Sequence, residues 1–288
     1  MSSDPAALPS GWKAGPDSVL FVTLDSCRYD TFEAADAPAL KAVSRLFRAE
    51  APAHFTYGSH LAMFAGFTPG IARMRAPYLN PKFARLFRLA RAGAPGHAPS
   101  GFDVEGDDIV SGFRNRGHLT VGSGAMRWFD PETPVSRKLT AGFDRFTYVG
   151  PHGDLARQVR WATDQLAEAD GREVFLFLNV GETHAPYHHA GAPWEATDNP
   201  CRPFQEVDRS AECRVRQRAC CEFADRHLAP LLAAFRDSTI LLCADHGDCW
   251  GEDGLWEHGV SHAMTLTVPL LLRYRGVPIE AHLGLGAD

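Results

Sequence analysis

The chain reads as an α/β protein built on a mainly parallel central sheet with helices on both faces, and three observations predict it. Apolar runs of strand length recur near residues 18–24, 118–122, 173–180, 238–243 and 266–273, and helical stretches near 36–49, 105–115, 153–169 and 206–236 separate them. Such alternation implies parallel strands joined by helical crossovers. The runs are also apolar nearly throughout, as in Val-Phe-Leu-Phe-Leu at 174–178, which suits strands buried on both faces. Finally, 288 residues with 45% hydrophobic and 22% charged content supply one large core, so no second core is required.

Taken in order, residues 1–17 read as an N-terminal tail, and residues 18–288 as a single domain. The tail lacks the apolar, basic-flanked pattern of a secretory signal or membrane anchor, and no run is long enough to span a bilayer, so a cytoplasmic placement is expected. The first strand ends at Asp25, followed by Ser26-Cys27-Arg28-Tyr29-Asp30. Ligands of open parallel sheets gather outside the carboxyl ends of strands, which makes Asp25 a site candidate; the competing reading is a helix N-cap.

Thr56 lies in His54-Phe-Thr-Tyr-Gly-Ser-His60, ahead of a helix expected from about Ser59. A hydroxyl there meets the positive end of the helix dipole, which favours an alkoxide and a neighbouring anion. Ser59 is the better capping residue, leaving Thr56 for chemistry. The Pro- and Gly-rich segment 68–101, with a short basic helix expected near Pro81–Arg91, breaks the rhythm and reads as a cap over the site. Its arginines (Arg73, Arg75, Arg85, Arg88 and Arg91) read as a solvated face, and a formal charge of −6 gives no general nucleic-acid footprint.

The strand at 173–180 delivers His184 ahead of Ala185-Pro186, where proline keeps the segment extended. His188 and His189 follow, as ligands or as solvated loop residues. The polar stretch 190–209 is a second candidate cover, with Trp194 and Phe204 able to stack on a substrate.

The strand at 238–243 runs into Cys243-Ala-Asp-His-Gly and on to His258. Asp245 and His246 reach one cation only if the backbone turns sharply, which Gly247 allows. Carboxylate oxygen with imidazole nitrogen suits zinc, manganese or iron better than calcium. An isolated Asp-His pair reads as turn and cap residues; three further segments, carrying Asp25, Thr56 and His184, favour a metal centre. The seven cysteines, with Cys220 and Cys221 adjacent, form no disulfide framework and suit a reducing compartment.

The motifs LDSCR (24–28), FTYGSHLAMFAGFTPG (55–70), GFDRF (142–146), FLFLNVGETHAPY (175–187), ADHGDCWGEDGLWEHG (244–259) and TVPLLLR (267–273) resemble, in this order, the alkaline phosphatase and sulfatase superfamily. The resemblance implies an alkaline phosphatase-like core and one metal site from Asp25, Thr56, Asp245 and His246, with Thr56 also the nucleophile. It further implies a second site from His184 and His258, for which His188 or His262 are alternative ligands. No cysteine has the Cys-x-Pro-x-Arg context of formylglycine sulfatases; Thr56 stands at the aligned position, with His60 where those enzymes place the arginine.

The pattern thus resembles the nucleotide pyrophosphatase/phosphodiesterase, phosphoethanolamine transferase and phosphonate hydrolase branches. The expectation is a metal-dependent hydrolase of a small phosphate ester, phosphodiester or phosphonate, acting through a covalent phosphothreonine. A phosphoryl transferase or mutase, or a non-catalytic metal-binding relative, are the alternatives. One or two divalent cations are implied, zinc first and manganese or iron next. Arg28 or His60 would orient nonbridging oxygens, unless Arg28 only pairs with Asp30 and His60 only lies on its helix face. The expected partner is a small anionic phospho-substrate, with neither nucleic acid nor membrane.

Overall fold

The computed structural model describes residues 8, 11–66, 87–89, 102–104 and 108–285. The strands are β1 (Val19–Leu24), β2 (Phe47–Glu50), β3 (Phe87–Leu89), β4 (Phe102–Val104), β5 (Leu119–Gly124), β6 (Arg145–Tyr148), β7 (Val174–Val180), β8 (Thr239–Ala244), β9 (Cys249–Trp250), β10 (Trp256–Glu257), β11 (Thr267–Tyr274) and β12 (Val277–Pro278). The helices are α1 (Tyr29–Ala34), α2 (Pro38–Lys41), α3 (Thr56–Ala65), α4 (Ile109–Asn115), α5 (Arg137–Thr140), α6 (Leu155–Ala167), α7 (Ser210–Ala234), α8 (Ala263–Leu266) and α9 (Ile279–His282).

Among the described residues the main sheet runs β12-β11-β8-β1-β7-β5-β6, with β2 also pairing to β11. The block β8-β1-β7-β5-β6 is parallel throughout, and β11 closes it antiparallel. This is the mixed α/β architecture expected from the alternation of apolar runs.

Side-chain alternation along the central strands builds two different cores. Leu20, Val22 and Leu24 of β1, with Leu176, Leu178 and Val180 of β7 and Ile240, Leu242 and Ala244 of β8, face α6 and α7 in an aliphatic layer. Phe21, Phe175, Phe177 and Cys243 point the other way, into an aromatic layer with Phe64, Phe129 and Phe143. A buried phenylalanine contributes about 1.5–3 kcal/mol through apolar burial. Near the strand ends this second face turns polar: Thr23 and Asn179 are opposite one another in the β1–β7 register.

Several expected elements differ. The helix expected over 36–49 is α2 followed by strand β2, whose Phe47 and Ala49 pair with Leu270 and Val268 of β11. Two-residue alternation between half-buried and exposed positions suits that edge pairing and defeats a helix. The basic helix expected near Pro81–Arg91 is not formed at 87–89, which is strand β3 paired with β4; the rest of it, and the cap expected over 68–101, lie outside the described residues. The segment read as a tail docks from Trp12, whose ring packs against Phe235, and Ala14 N donates to Ala234 O at 3.0 Å. Among the described residues no helix is long and apolar enough to cross a membrane.

Candidate metal centre

Register alone creates the meeting point. Leu24 pairs with Val180 on one side and Ala244 on the other, so Asp25, Gly181 and Asp245 leave the sheet side by side. Asp25 and Asp245 are fully buried. Ser26, in a left-handed conformation at φ 58°, turns its N–H onto Asp245 Oδ1 at 3.1 Å. Thr183 Oγ1 donates to Asp25 O at 2.7 Å, and Asn179 Nδ2 to Asp25 Oδ2 at 3.1 Å. From α7, Gln217 straps these loops together: its Nε2 donates to Ser26 O at 2.9 Å and Thr183 O at 3.0 Å, and its Oε1 accepts from Arg28 N at 3.2 Å.

Gly247 answers the demand for a sharp turn by close approach. A Cβ there would come within 2.3 Å of Met264 O and 3.3 Å of Arg28 Cγ. His246 Nδ1 donates to Gly247 O at 3.0 Å, which leaves Nε2 with its lone pair facing Asp25, Asp245 and Thr56. Thr56 is the first residue of α3 and not the residue before it: Phe55 stands at the N-cap without a capping side chain, while Ser59 bonds the Ala53 backbone from inside the helix. Thr56 Oγ1 lies 3.3 Å from His246 Nε2 and 3.5 Å from each Asp25 oxygen, beneath a surface that leaves it 1% exposed.

The oxygen Asp245 Oδ2 is buried without a hydrogen-bond partner, 3.6 Å from His246 Nε2 and 3.6 Å from His60 Nδ1. A fully desolvated carboxylate oxygen costs a few kcal/mol when left unpaired. Burial first, and the charge of Asp25 second, push the Asp245 carboxyl well above its ordinary range. One ligand atom from each of Asp25, Asp245 and His246 lies within 4.8 Å of the others, and a divalent cation between them would satisfy the orphaned oxygen and both charges. The donor set fits a divalent metal.

A second cluster adjoins the first. His258 packs 4.5 Å from His246 and 5.1 Å from His184, measured between ring centres. His184 Nδ1 donates to Ala185 O at 2.7 Å and His258 Nδ1 to Asp248 Oδ1 at 2.8 Å, so each presents Nε2. The group that draws together within 4.8 Å is His246, Asp248 and His258. Burial alone would raise the Asp248 carboxyl, but the bond and charge of His258 hold it at about 2; reciprocally, Asp248 lifts His258 to about 9 against its own burial. Burial, with the His258 charge behind it, holds His246 at about 4.

For both residues expected to orient oxygens, the packing matches the alternative reading given for each. Arg28 is buried with its donors engaged: Nε and Nη2 grip Asp30, Nη1 reaches Glu252 and Asp248 O, Nη2 also meets Met264 Sδ, and the plane stacks 4.1 Å over Trp250. It braces the loop after β8 and has no donor left for an incoming oxyanion. His60 is fully buried against Phe64, Phe129 and Phe177; its Nδ1 donates to Thr56 O at 2.8 Å and its Nε2 accepts from Thr23 Oγ1 at 2.9 Å. Burial holds it at about 4, as a neutral ring behind Thr56.

Of the alternative ligands, His262 has both ring nitrogens engaged. His262 caps α8, its Nδ1 accepting from Met264 N and its Nε2 meeting Asp253 at 3.1 Å, and His189 stacks on Phe223 at 4.7 Å. Half-buried His188 sits against the charges of Glu195 and Arg216. Trp194 donates to Tyr187 O at 3.0 Å, and Phe204 is almost wholly exposed. Sequence reasoning missed Asp248, although an acid three residues after Asp245 across a glycine turn was its signal. Asn179 and Gln217 carried none, since an amide in a strand or on a long helix looks like any other.

No protein-family model matches the chain, and no curated protein matches it by sequence. Solved structures match by fold. The zinc complex of the C-terminal periplasmic domain of EcEptC from Escherichia coli aligns with TM-score 0.58 at 11% identity, over 94% of this chain and 77% of that one. The phosphonate monoester hydrolase SpPMH from Silicibacter pomeroyi aligns with TM-score 0.60 at 14% identity, over 91% and 69%. A protein in the alkaline phosphatase superfamily from Vibrio parahaemolyticus gives 0.53 at 13%, over 96% and 65%. That a periplasmic domain stands among these gives the cytoplasmic expectation no support. Agreement over most of the chain at identities this low is agreement of backbones: this chain shares its fold with these structures, one of them a protein in the alkaline phosphatase superfamily.

Proposed function

We propose that the chain is a metal-dependent phosphoryl-transfer enzyme that hydrolyses a small anionic phosphate ester, phosphodiester or phosphonate, with Thr56 as nucleophile. The observation that carries this reading is the placement of a buried threonine hydroxyl within 3.5 Å of both an acid and an imidazole of a cation-fitting cluster. Asp25, Asp245 and His246 would hold one divalent cation, zinc first and manganese or iron next, and His184 and His258 a second. Such cations lower the pKa of a coordinated hydroxyl and stabilise charge on the entering and leaving oxygens.

The chain's own residues do the rest. Attack forms the bond from Thr56 Oγ1 to phosphorus and breaks the bond to the leaving oxygen; the hydroxyl proton departs from Oγ1, where Asp25 is an acceptor at 3.5 Å. The start of the ten-residue α3 adds the positive end of a helix dipole at that atom, favouring an alkoxide and an incoming anion. His60, through the Thr56 carbonyl, and Asn179, through Asp25, hold nucleophile and acid in register. Water then attacks the phosphothreonine and restores the hydroxyl.

A transferase reading draws its support from fold neighbours named as phosphoethanolamine transferases, among them the soluble domain of the Neisseria meningitidis enzyme. An alcohol acceptor in place of water distinguishes the two. The test is metal analysis of purified protein, then turnover of nitrophenyl phosphate, phosphodiester, phosphonate and sulfate substrates with and without added alcohol. Phospho-substrate turnover without sulfate turnover is expected. A chain that binds cations stoichiometrically yet turns over none of the panel would sink the enzymatic reading.

A further inference from the structure

Asp248 differs from Asp245, whose Oδ2 has no partner, because both of its oxygens are already engaged. Oδ1 accepts from His258 Nδ1 at 2.8 Å, and Oδ2 accepts from Tyr187 Oη at 2.7 Å. Tyr187 Oη in turn accepts from Trp250 Nε1 at 2.7 Å. The proton positions along this chain follow from chemistry: an indole N–H only donates, so the phenol oxygen accepts and sends its own proton to the carboxylate. An ionised carboxylate only accepts, so His258 Nδ1 carries the proton and Nε2 faces the cluster.

The supports are sealed and braced. Tyr187 and Asp248 are fully buried and Trp250 nearly so, with Arg28 stacked over the indole and bonded to the Asp248 carbonyl. Tyr187 holds a left-handed backbone at φ 57°, which costs a non-glycine residue about 1–2 kcal/mol. Trp194 pins its carbonyl. Such a conformation persists only where the surroundings over-determine it.

We infer that Trp250, Tyr187 and Asp248 form a relay of positioning residues for His258. Tyr187 engages the Asp248 oxygen not used by His258, so Asp248 acts as the anchor of the imidazole and not as a cation ligand. This rests on reading His258 as part of a second cation site. Outer partners of ligating histidines typically change metal affinity 10- to 100-fold when removed.

The test uses the full chain carrying ¹⁵N-histidine, first free of metal. The wild type should show a downfield His258 Nδ1 proton, assigned by its loss in His258→Gln, and Tyr187→Phe should shift it upfield or erase it. In zinc titrations against a competing chelator, Tyr187→Phe should weaken the second cation about 10- to 100-fold while leaving the first unchanged. An unchanged proton signal, or second-cation affinity equal to or tighter than wild type, would overturn the relay, the tighter result marking Asp248 as a ligand. If Tyr187→Phe does not fold, Trp250→Phe decides, because it keeps the phenol but withdraws its donor: a smaller shift in the same direction supports the relay, and no shift overturns it. Neither readout needs turnover, so a protein inactive on every phospho-substrate but showing these shifts would sink the enzymatic reading and keep the relay.

Discussion

Replacing Asp245 with asparagine should stabilise the metal-free protein and abolish its response to divalent cations. Ligand oxygens of Asp25 and Asp245 lie within 4.8 Å of each other. At an effective dielectric of about 20, two ionised carboxylates at that separation repel by about 3.5 kcal/mol. The folded chain escapes that repulsion only by holding a proton on Asp245, at a cost bounded by the same figure; the amide removes the need for it and offers a donor where Asp245 Oδ2 had no partner. A chain of 288 residues unfolds with an entropy of roughly 0.6 kcal/mol/K, so the gain corresponds to about 6 °C in Tm.

The pH dependence of that gain has a definite sign. Burial and the Asp25 charge raise the folded pKa of Asp245, so the folded chain keeps a proton that the unfolded chain releases. Its stability contribution is present below the ordinary aspartate value of about 4 and is lost as pH rises toward the folded pKa. The advantage of Asp245→Asn therefore grows from pH 5 to pH 9. Scanning calorimetry in chelator, then in excess zinc or manganese, measures both effects: the cation should raise the wild-type Tm and leave the variant unmoved. A variant that melts below wild type in chelator at pH 9, or gains as much from the cation, refutes the argument.

Thr56→Val should retain cation binding and lose turnover while Thr56→Ser keeps part of it; wild-type rates in Thr56→Val would make a water molecule the attacking group. His258→Ala should slow alkyl esters by a larger factor than nitrophenyl esters, since a good leaving group needs less charge stabilisation; equal losses across the series would deny it a leaving-group role. Arg28→Ala leaves Asp30 with Arg214 alone, takes the guanidinium from Glu252 and thins the cover of Trp250, and should cost about 2 kcal/mol in urea denaturation; an unchanged midpoint would reject the bracing role. His60 and His246, held at about 4 by burial, contribute stability above the ordinary histidine value that is lost as pH falls through about 6.5 toward 4, and their ring-proton shifts should stay flat down to pH 5.5. A midpoint near 6.5 for either ring would contradict its burial.

The amino-acid sequence by itself determined the parallel sheet, because β1, β7 and β8 are each a local apolar run with no need of outside information. It also located Asp25, Asp245 and His246, since a buried strand must release its first polar residues at its end, where parallel-sheet sites lie. It did not determine β2, whose short segment becomes a strand only because β11 is there to pair with it. Nor did it locate the start of α3, where Ser59 is drawn to the Ala53 backbone and leaves the helix end to Phe55. For Arg28 the sequence left anion binding and pairing with Asp30 both open; the fold adds Glu252 and Trp250 across more than two hundred residues. Asp248, Tyr187 and Gln217 take their roles from partners on other elements, from 10 to 191 residues away along the chain. Hydrophobic periodicity is written locally and can be read locally; a hydrogen bond acquires its meaning only when the fold supplies its other half.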